Sequence, residues 1–363
     1  MRQEDRNVVY GQGKRGASMD NVSIIGIDIS KRSFQVHGAA ASGEPVLRKK
    51  LSRGKVLEFL ASQPPCLVVM ETCGGAHHWG REIQQLGHEV RLIAPIYVKA
   101  FTRPHKGDAR DAAAIVEAAQ RPTMRFVAVK TKEAQARSMV FRTRGLLVRQ
   151  RTQTVNAVRG HLAEFGLVAP RGVANVEQLW EAFAECAETL PELVVSTAGL
   201  LFDRIDELNA QLDEVDKQMR SIVREDEELR RLMTIPGVGE VGAMAVHAFA
   251  SAMESFARGR DFAAWIGLTP REISTGGRQR LGRIIKMGQR DLRQLLVLGE
   301  TSVIRHARRR KEIEDPWLRR MLAEKPPKLV AVALANKMAR IIWALMVKRE
   351  SYRAPKVIGA VSG

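Results

Sequence analysis

The sequence predicts an α/β domain at the N-terminal end followed by a mostly helical remainder, and three observations carry that reading. Between Val22 and Ser30, five β-branched residues crowd into nine positions, the mark of a strand buried on both faces. Residues 66–71 and 89–94 repeat the apolar run, with a helical stretch at 76–86 between them, so strands alternate with helices as in a mixed sheet. Beyond residue 129 the apolar residues recur every three or four positions instead.

Taken in order, residues 1–21 are polar, Gly-containing and lack the apolar core of a secretory signal, so they read as a loose tail. The first strand ends on Asp28, followed by Ser30, Lys31 and Arg32. A carboxylate at the edge of a buried strand is costly unless hydrogen bonds or a cation compensate it. Hard divalent cations take oxygen ligands, whereas the plain alternative is an Asp that ends the strand in a turn. Residues 33–41 and 44–51 read as two more strands around a Ser-Gly turn, and 54–62 as a helix. The strand at 66–71 again closes on a carboxylate, Glu71, before Thr72-Cys73-Gly74-Gly75 breaks it, and Pro95 closes the strand at 89–94.

In Lys106-Gly107-Asp108-Ala109-Arg110-Asp111, the glycine stops the preceding segment, Asp108 is a helix N-cap, and the alanines after Asp111 start the helix. Spaced by three, Asp108 and Asp111 share a helix face. A cap plus a dipole-favoured first-turn acid is the structural alternative. The long helical stretch at 129–165 carries Arg137, Arg142, Arg144, Arg149, Arg151 and Arg159 with few acids to pair them. It is either a solvated face or one turned to nucleic acid. From Ile205 the apolar residues Leu208, Leu212, Val215, Met219, Ile222 and Leu229 keep coiled-coil spacing. Both a hairpin within the chain and a seam between subunits satisfy that pattern.

The 363 residues allow two or three domains. A net charge of +18 and a pI near 10.3 point to a polyanionic partner, nucleic acid rather than membrane, because no amphipathic anchor and no apolar run near spanning length is read. Three cysteines without C-x-x-C pairing fit a reducing cytoplasm. The chain has no Walker-type phosphate loop.

A second chemical stretch lies further on. Thr234-Ile235-Pro236-Gly237-Val238-Gly239 is flanked by helix formers; such a helix–tight turn–helix, which resembles the helix-hairpin-helix motif of non-specific DNA binders, frees backbone N–H groups for a phosphate at Gly237 and Gly239, or is a packing turn. Ser274-Thr275-Gly276-Gly277 reads as a loop ringed by Arg278, Arg280, Arg283 and Lys286. A hydroxyl among guanidiniums suits attack on a phosphodiester; the alternatives are a turn residue or a loop that only binds phosphate. Arg308, Arg309 and Arg310 form a phosphate patch, and residues 328–347 read as a core-closing helix.

Together these pieces resemble the insertion-sequence transposases with a RuvC-like DEDD domain, the bridge-RNA-guided serine recombinase type. The N-terminal match is Gly26-Ile27-Asp28, Glu71-Thr72-Cys73-Gly74-Gly75 and Gly107-Asp108-Ala109-Arg110-Asp111; the C-terminal match is Ile235-Pro236-Gly237-Val238-Gly239, Trp265 to Arg271, and Ser274 to Gly277. The resemblance implies an RNase H-like domain at 22–128, a helical coiled-coil region at 129–230, and a mostly helical transposase domain at 231–348. Residues 1–21 and 349–363 are left as tails. It implies Asp28, Glu71, Asp108 and Asp111 as a tetrad for Mg²⁺ or Mn²⁺, and Ser274 as the nucleophile of a transient phosphoserine, with Thr275 as the neighbouring alternative. It further implies donor and target DNA and a guide RNA as partners, and a homo-oligomer, dimer or tetramer, that joins one subunit's tetrad to another's serine loop. A junction-type endonuclease using the tetrad alone and a non-catalytic nucleic-acid-binding protein are the rival readings.

Overall fold

Six strands form one sheet in the order β3-β2-β1-β4-β5-β6, with β1 Ile24–Asp28, β2 Ser33–Ala39, β3 Pro45–Ser52, β4 Leu67–Glu71, β5 Glu89–Ile93 and β6 Phe126–Val127. The computed structural model describes residues 22–102, 108–250, 252–275, 277–309, 313 and 315–353, without the side chains of Asp108 and Ala109. The chain divides into two compact units, split between Thr131 and Lys132, and each is described by itself.

In the N-terminal unit, β1, β2 and β3 form an antiparallel meander, β4 and β5 run parallel to β1, and β6 returns antiparallel. Strand alternation sends Ile25, Ile27, Val68, Met70 and Leu92 to one face, under the helices α1 Val56–Ala61 and α2 Ala76–Gln85. Ile24, Val69 and Ile93 take the other face. There, beyond α3 Pro95–Val98, lies α4 Asp108–Ala119, whose Ala114, Ile115, Val116 and Ala118 complete the second layer. The expected elements thus form, and β6 and α3 are additions.

Gly26 sets how close α4 comes. A Cβ there would stand 2.6 Å from the Ala112 carbonyl oxygen and 2.6 Å from Val116 Cγ2, so the helix backbone rests on the bare Cα of the strand.

Among its described residues, the second unit has helices and one β-hairpin. Helix α5 Lys132–Ala163 is followed by α6 Val176–Cys186 and α7 Glu192–Glu225. Then come α8 Glu227–Met233, α9 Glu240–Ala250 and α10 Gly259–Ile266. The hairpin β7 Pro270–Glu272 and β8 Leu281–Ile284 precedes α11 Arg290–Arg309, α12 Pro316–Glu324 and α13 Pro327–Lys348.

Of the two readings of α7, the structure has the hairpin within the chain. Ile205, Leu208, Leu212 and Met219 are buried within this chain, Leu212 to 3% exposure, in an antiparallel hairpin of α5 and α7. Arg144 on α5 pairs with Asp216, and two turns on, Arg151 Nη1 donates to Asn209 Oδ1 at 3.0 Å, two turns back along α7. The expectation that no apolar run approaches spanning length is corrected. Helix α13 is long and apolar enough to cross a membrane by length and composition, yet it buries Val330, Leu334, Met338, Ile342 and Met346 in the core of its unit.

Candidate active site

In the N-terminal unit, Asp28 and Glu71 end adjacent parallel strands that pair Ile27 with Met70 one step earlier. By alternation Asp28 shares its face with Gly26 and Ile24, and Glu71 shares its face with Val69, which is the α4 face. Asp111 lies in the first turn of α4. The close approach at Gly26 therefore brings three acids to the carboxyl ends of the parallel strands, where open α/β sheets hold their ligands.

The electrostatics agree with that placement. The Glu71 carboxyl is pushed above the usual carboxylate range, first by burial and then by the charges of Asp28 and Asp111. The Cys73 thiol is raised too, by burial and then by Glu71 and Asp28, against a lowering hydrogen bond from the Ala76 backbone. The three acids feel one another without forming a ligand cluster: among the described residues no three His, Cys, Asp or Glu stand close enough to hold a metal ion. Asp108 opens α4, but its side chain lies outside the described residues.

In the C-terminal unit, Ser274 lies in the expected loop, which joins β7 to β8. It continues from β7 in a hairpin, where Ile273 N–H donates to the Arg280 carbonyl at 2.8 Å and Thr275 bridges Arg278. The Ser274 hydroxyl is exposed, donates to Glu272 Oε1 at 3.0 Å and accepts the Arg280 N–H at 3.1 Å. Arg278, Arg280, Arg283 and Lys286 are all exposed on this hairpin or just past it, Lys286 with a left-handed φ of 59°.

Gly237 and Gly239 occupy the exposed tight turn between helices α8 and α9 that was expected there. Gly237 also has a packing reason. Its φ is +82°, and a Cβ at Gly299 of α11 would stand 2.0 Å from its carbonyl oxygen. Beneath the turn is Glu300, 1% exposed, with neither carboxyl oxygen hydrogen-bonded and its pKa pushed up to about 8 by burial.

On α5, Arg142 and Arg149 are exposed, Arg142 also lying 5.6 Å from the Phe249 ring centre, whereas Arg144 and Arg151 are engaged by α7. Arg308 and Arg309 are exposed at the end of α11, and Arg310 lies outside the described residues.

Sequence reasoning missed Glu272 and Glu300. For Glu272 a signal existed: residues two apart on a strand point to one side, so a carboxylate at 272 faces a hydroxyl at 274. For Glu300 none existed, because an acid on a helix reads as solvated.

Comparison with known proteins agrees at both ends of the chain. The transposase IS116/IS110/IS902 family model matches residues 229–317, and a transposase model of the DEDD IS110 type matches residues 25–166. The chain is 46% identical to the y4pF/y4sB protein of Sinorhizobium fredii, named as a transposase candidate, over 95% of this chain and 89% of that one. It is 45% identical to a family 20 transposase candidate of Pseudomonas aeruginosa over 92% and 99% of the two chains. It is 39% identical to the transposase for insertion sequence element IS1328 of Yersinia enterocolitica over 90% and 97%.

Proposed function

The chain belongs to the IS116/IS110/IS902 transposase family, and on that premise we propose that it is an RNA-guided DNA recombinase that cuts and rejoins strands through a phosphoserine at Ser274. The observation that carries the reading is the convergence of Asp28, Glu71 and Asp111 at the ends of β1, β4 and the start of α4.

An antiparallel meander continued by parallel strands, with acids at the strand ends, supports an RNase H-like domain. Asp28, Glu71, Asp111 and, by resemblance, Asp108 fit the chemistry of a divalent cation, Mg²⁺ or Mn²⁺, because they are hard oxygen donors, with Glu71 raised by burial and then by the charges of Asp28 and Asp111. When bound, such a cation supplies Lewis-acid polarisation of the scissile phosphate. The exposed Arg278, Arg280, Arg283 and Lys286 would hold the DNA backbone beside Ser274, whose hydroxyl supplies the nucleophile. A serine ester conserves the energy of the cut bond, so rejoining needs no nucleotide, in keeping with a chain without a Walker-type loop. The surplus of +18 suits a protein that holds guide RNA and two DNA partners together, as a dimer or tetramer.

The test is transposition of a plasmid-borne element with the element's own ends. Asp28→Asn and Ser274→Ala should each abolish recombination, and RNA copurifying with the protein should be one defined species. Strand cutting that survives Ser274→Ala would leave a hydrolytic nuclease; full function in Asp28→Asn would leave a binding protein.

A further inference from the structure

We propose that Glu272 is the general base that activates Ser274, an assignment that rests on the recombinase reading above. The two residues lie on one side of the same extended segment, and Glu272 Oε1 already accepts the Ser274 hydroxyl at 3.0 Å. A serine oxygen has one hydrogen and two lone pairs. The hydrogen goes to Glu272, one lone pair takes the Arg280 N–H at 3.1 Å, and the second lone pair is left to face a phosphorus atom. Both contacts come from the hairpin itself, so the hydroxyl is oriented before any nucleic acid arrives.

The same geometry separates Ser274 from its neighbour. Thr275 is held through its backbone, in the bridge to Arg278, and among the described residues its hydroxyl meets no carboxylate.

In the step, the Oγ–H bond breaks and its proton moves to Glu272 Oε1 as Oγ bonds to phosphorus. The bond from phosphorus to the leaving sugar oxygen breaks, and that oxygen takes a proton from water. Rejoining is the reverse: a sugar hydroxyl attacks phosphorus and loses its proton to water, and Oγ leaves with the proton held on Glu272. Taking up the proton neutralises Glu272 while the phosphate approaches, so the repulsion between two anions falls as the new bond forms. The Arg280 N–H, already donating to Oγ at 3.1 Å, stabilises the charge that builds there as the proton leaves.

The experiment uses the full chain with its copurified RNA and a plasmid carrying the element's own two ends, and follows the covalent Ser274–DNA adduct from pH 5 to 9. The wild-type rate should vary little from pH 7 to 9. Glu272→Gln should lower it by about 10²- to 10⁴-fold and turn the plateau into a rise of about tenfold per pH unit, as hydroxide takes over the base's task. Glu272→Asp should recover part of the rate, and gel-shift affinity for the plasmid ends should hold in both variants. A Glu272→Gln protein with the wild-type rate and pH profile overturns the assignment, as does an adduct found on Thr275. A rate loss matched by an equal loss of DNA affinity reduces Glu272 to a hairpin brace and overturns it too. DNA cut by wild-type protein with no serine adduct at all removes the recombinase reading itself, and this proposal with it.

Discussion

Adding one methyl group at Gly26 tests the arrangement on which the acidic centre depends. In Gly26→Ala the new Cβ would lie 2.6 Å from the Ala112 carbonyl oxygen, 2.6 Å from Val116 Cγ2 and 3.3 Å from the Val116 nitrogen. Ordinary contact distances are about 3.5–4.0 Å, so α4 has to retreat by about 1 Å. Two of the three obstructing atoms belong to the helix backbone, which no rotamer change can move aside. Overpacking of this kind costs about 1–3 kcal/mol. With a urea dependence of about 1–3 kcal/mol per molar, the midpoint of the N-terminal unit should fall by roughly 1 M. Asp111 rides on the helix that moves, while Asp28 and Glu71 stay with the strands. A displacement of about 1 Å at a reacting centre costs on the order of 10²-fold in rate, so recombination should fall by about that factor in protein that still folds by circular dichroism. Gly26→Ala with an unchanged urea midpoint and full recombination would mean that α4 does not rest on β1, and the convergence of the three acids would lose its cause.

The raised Glu71 carboxyl makes a second prediction. Its folded pKa lies above the unfolded value, so ionising it costs stability as pH climbs from the unfolded value through the folded one; Glu71→Gln should raise the melting temperature at pH 7 while abolishing recombination. Millimolar Mg²⁺ should raise the wild-type melting temperature and leave Glu71→Gln unmoved; equal shifts in both proteins would dissociate Glu71 from cation binding. Glu300 follows the same sign, with a folded pKa of about 8 against an ordinary value of 4.5. Wild-type stability should decline between those values and Glu300→Gln should flatten the decline, seen in melts at pH 5 and 8.5. Among the basic residues, Arg278→Ala should lessen the salt dependence of DNA binding by about one unit of log–log slope, with the fold intact. Arg144→Ala should leave that slope alone and cost about 1–3 kcal/mol of stability, because its guanidinium serves Asp216; a change of slope there would return Arg144 to the nucleic-acid face.

What could be read from the chain alone divides along physical lines. The strands β1 and β4 were legible because burial on both faces demands a near-continuous apolar run, and an acid that ends such a run stands out against it. The serine hairpin was not legible, since β7 is exposed along its whole length and a strand with no buried side has no alternation to show. Its regularity comes from backbone pairing and is invisible in residue type. The stripe on α7 shows a third kind of limit. Period alone says that Leu208 and Leu212 are covered and is silent on which helix covers them; the paired Arg144–Asp216 and Arg151–Asn209 contacts identify α5 of the same chain. Gly26 belongs here as well. A glycine inside a strand signals that some backbone comes close, but only the sheet order and the placement of α4 say which one, and why three acids distant in sequence end together.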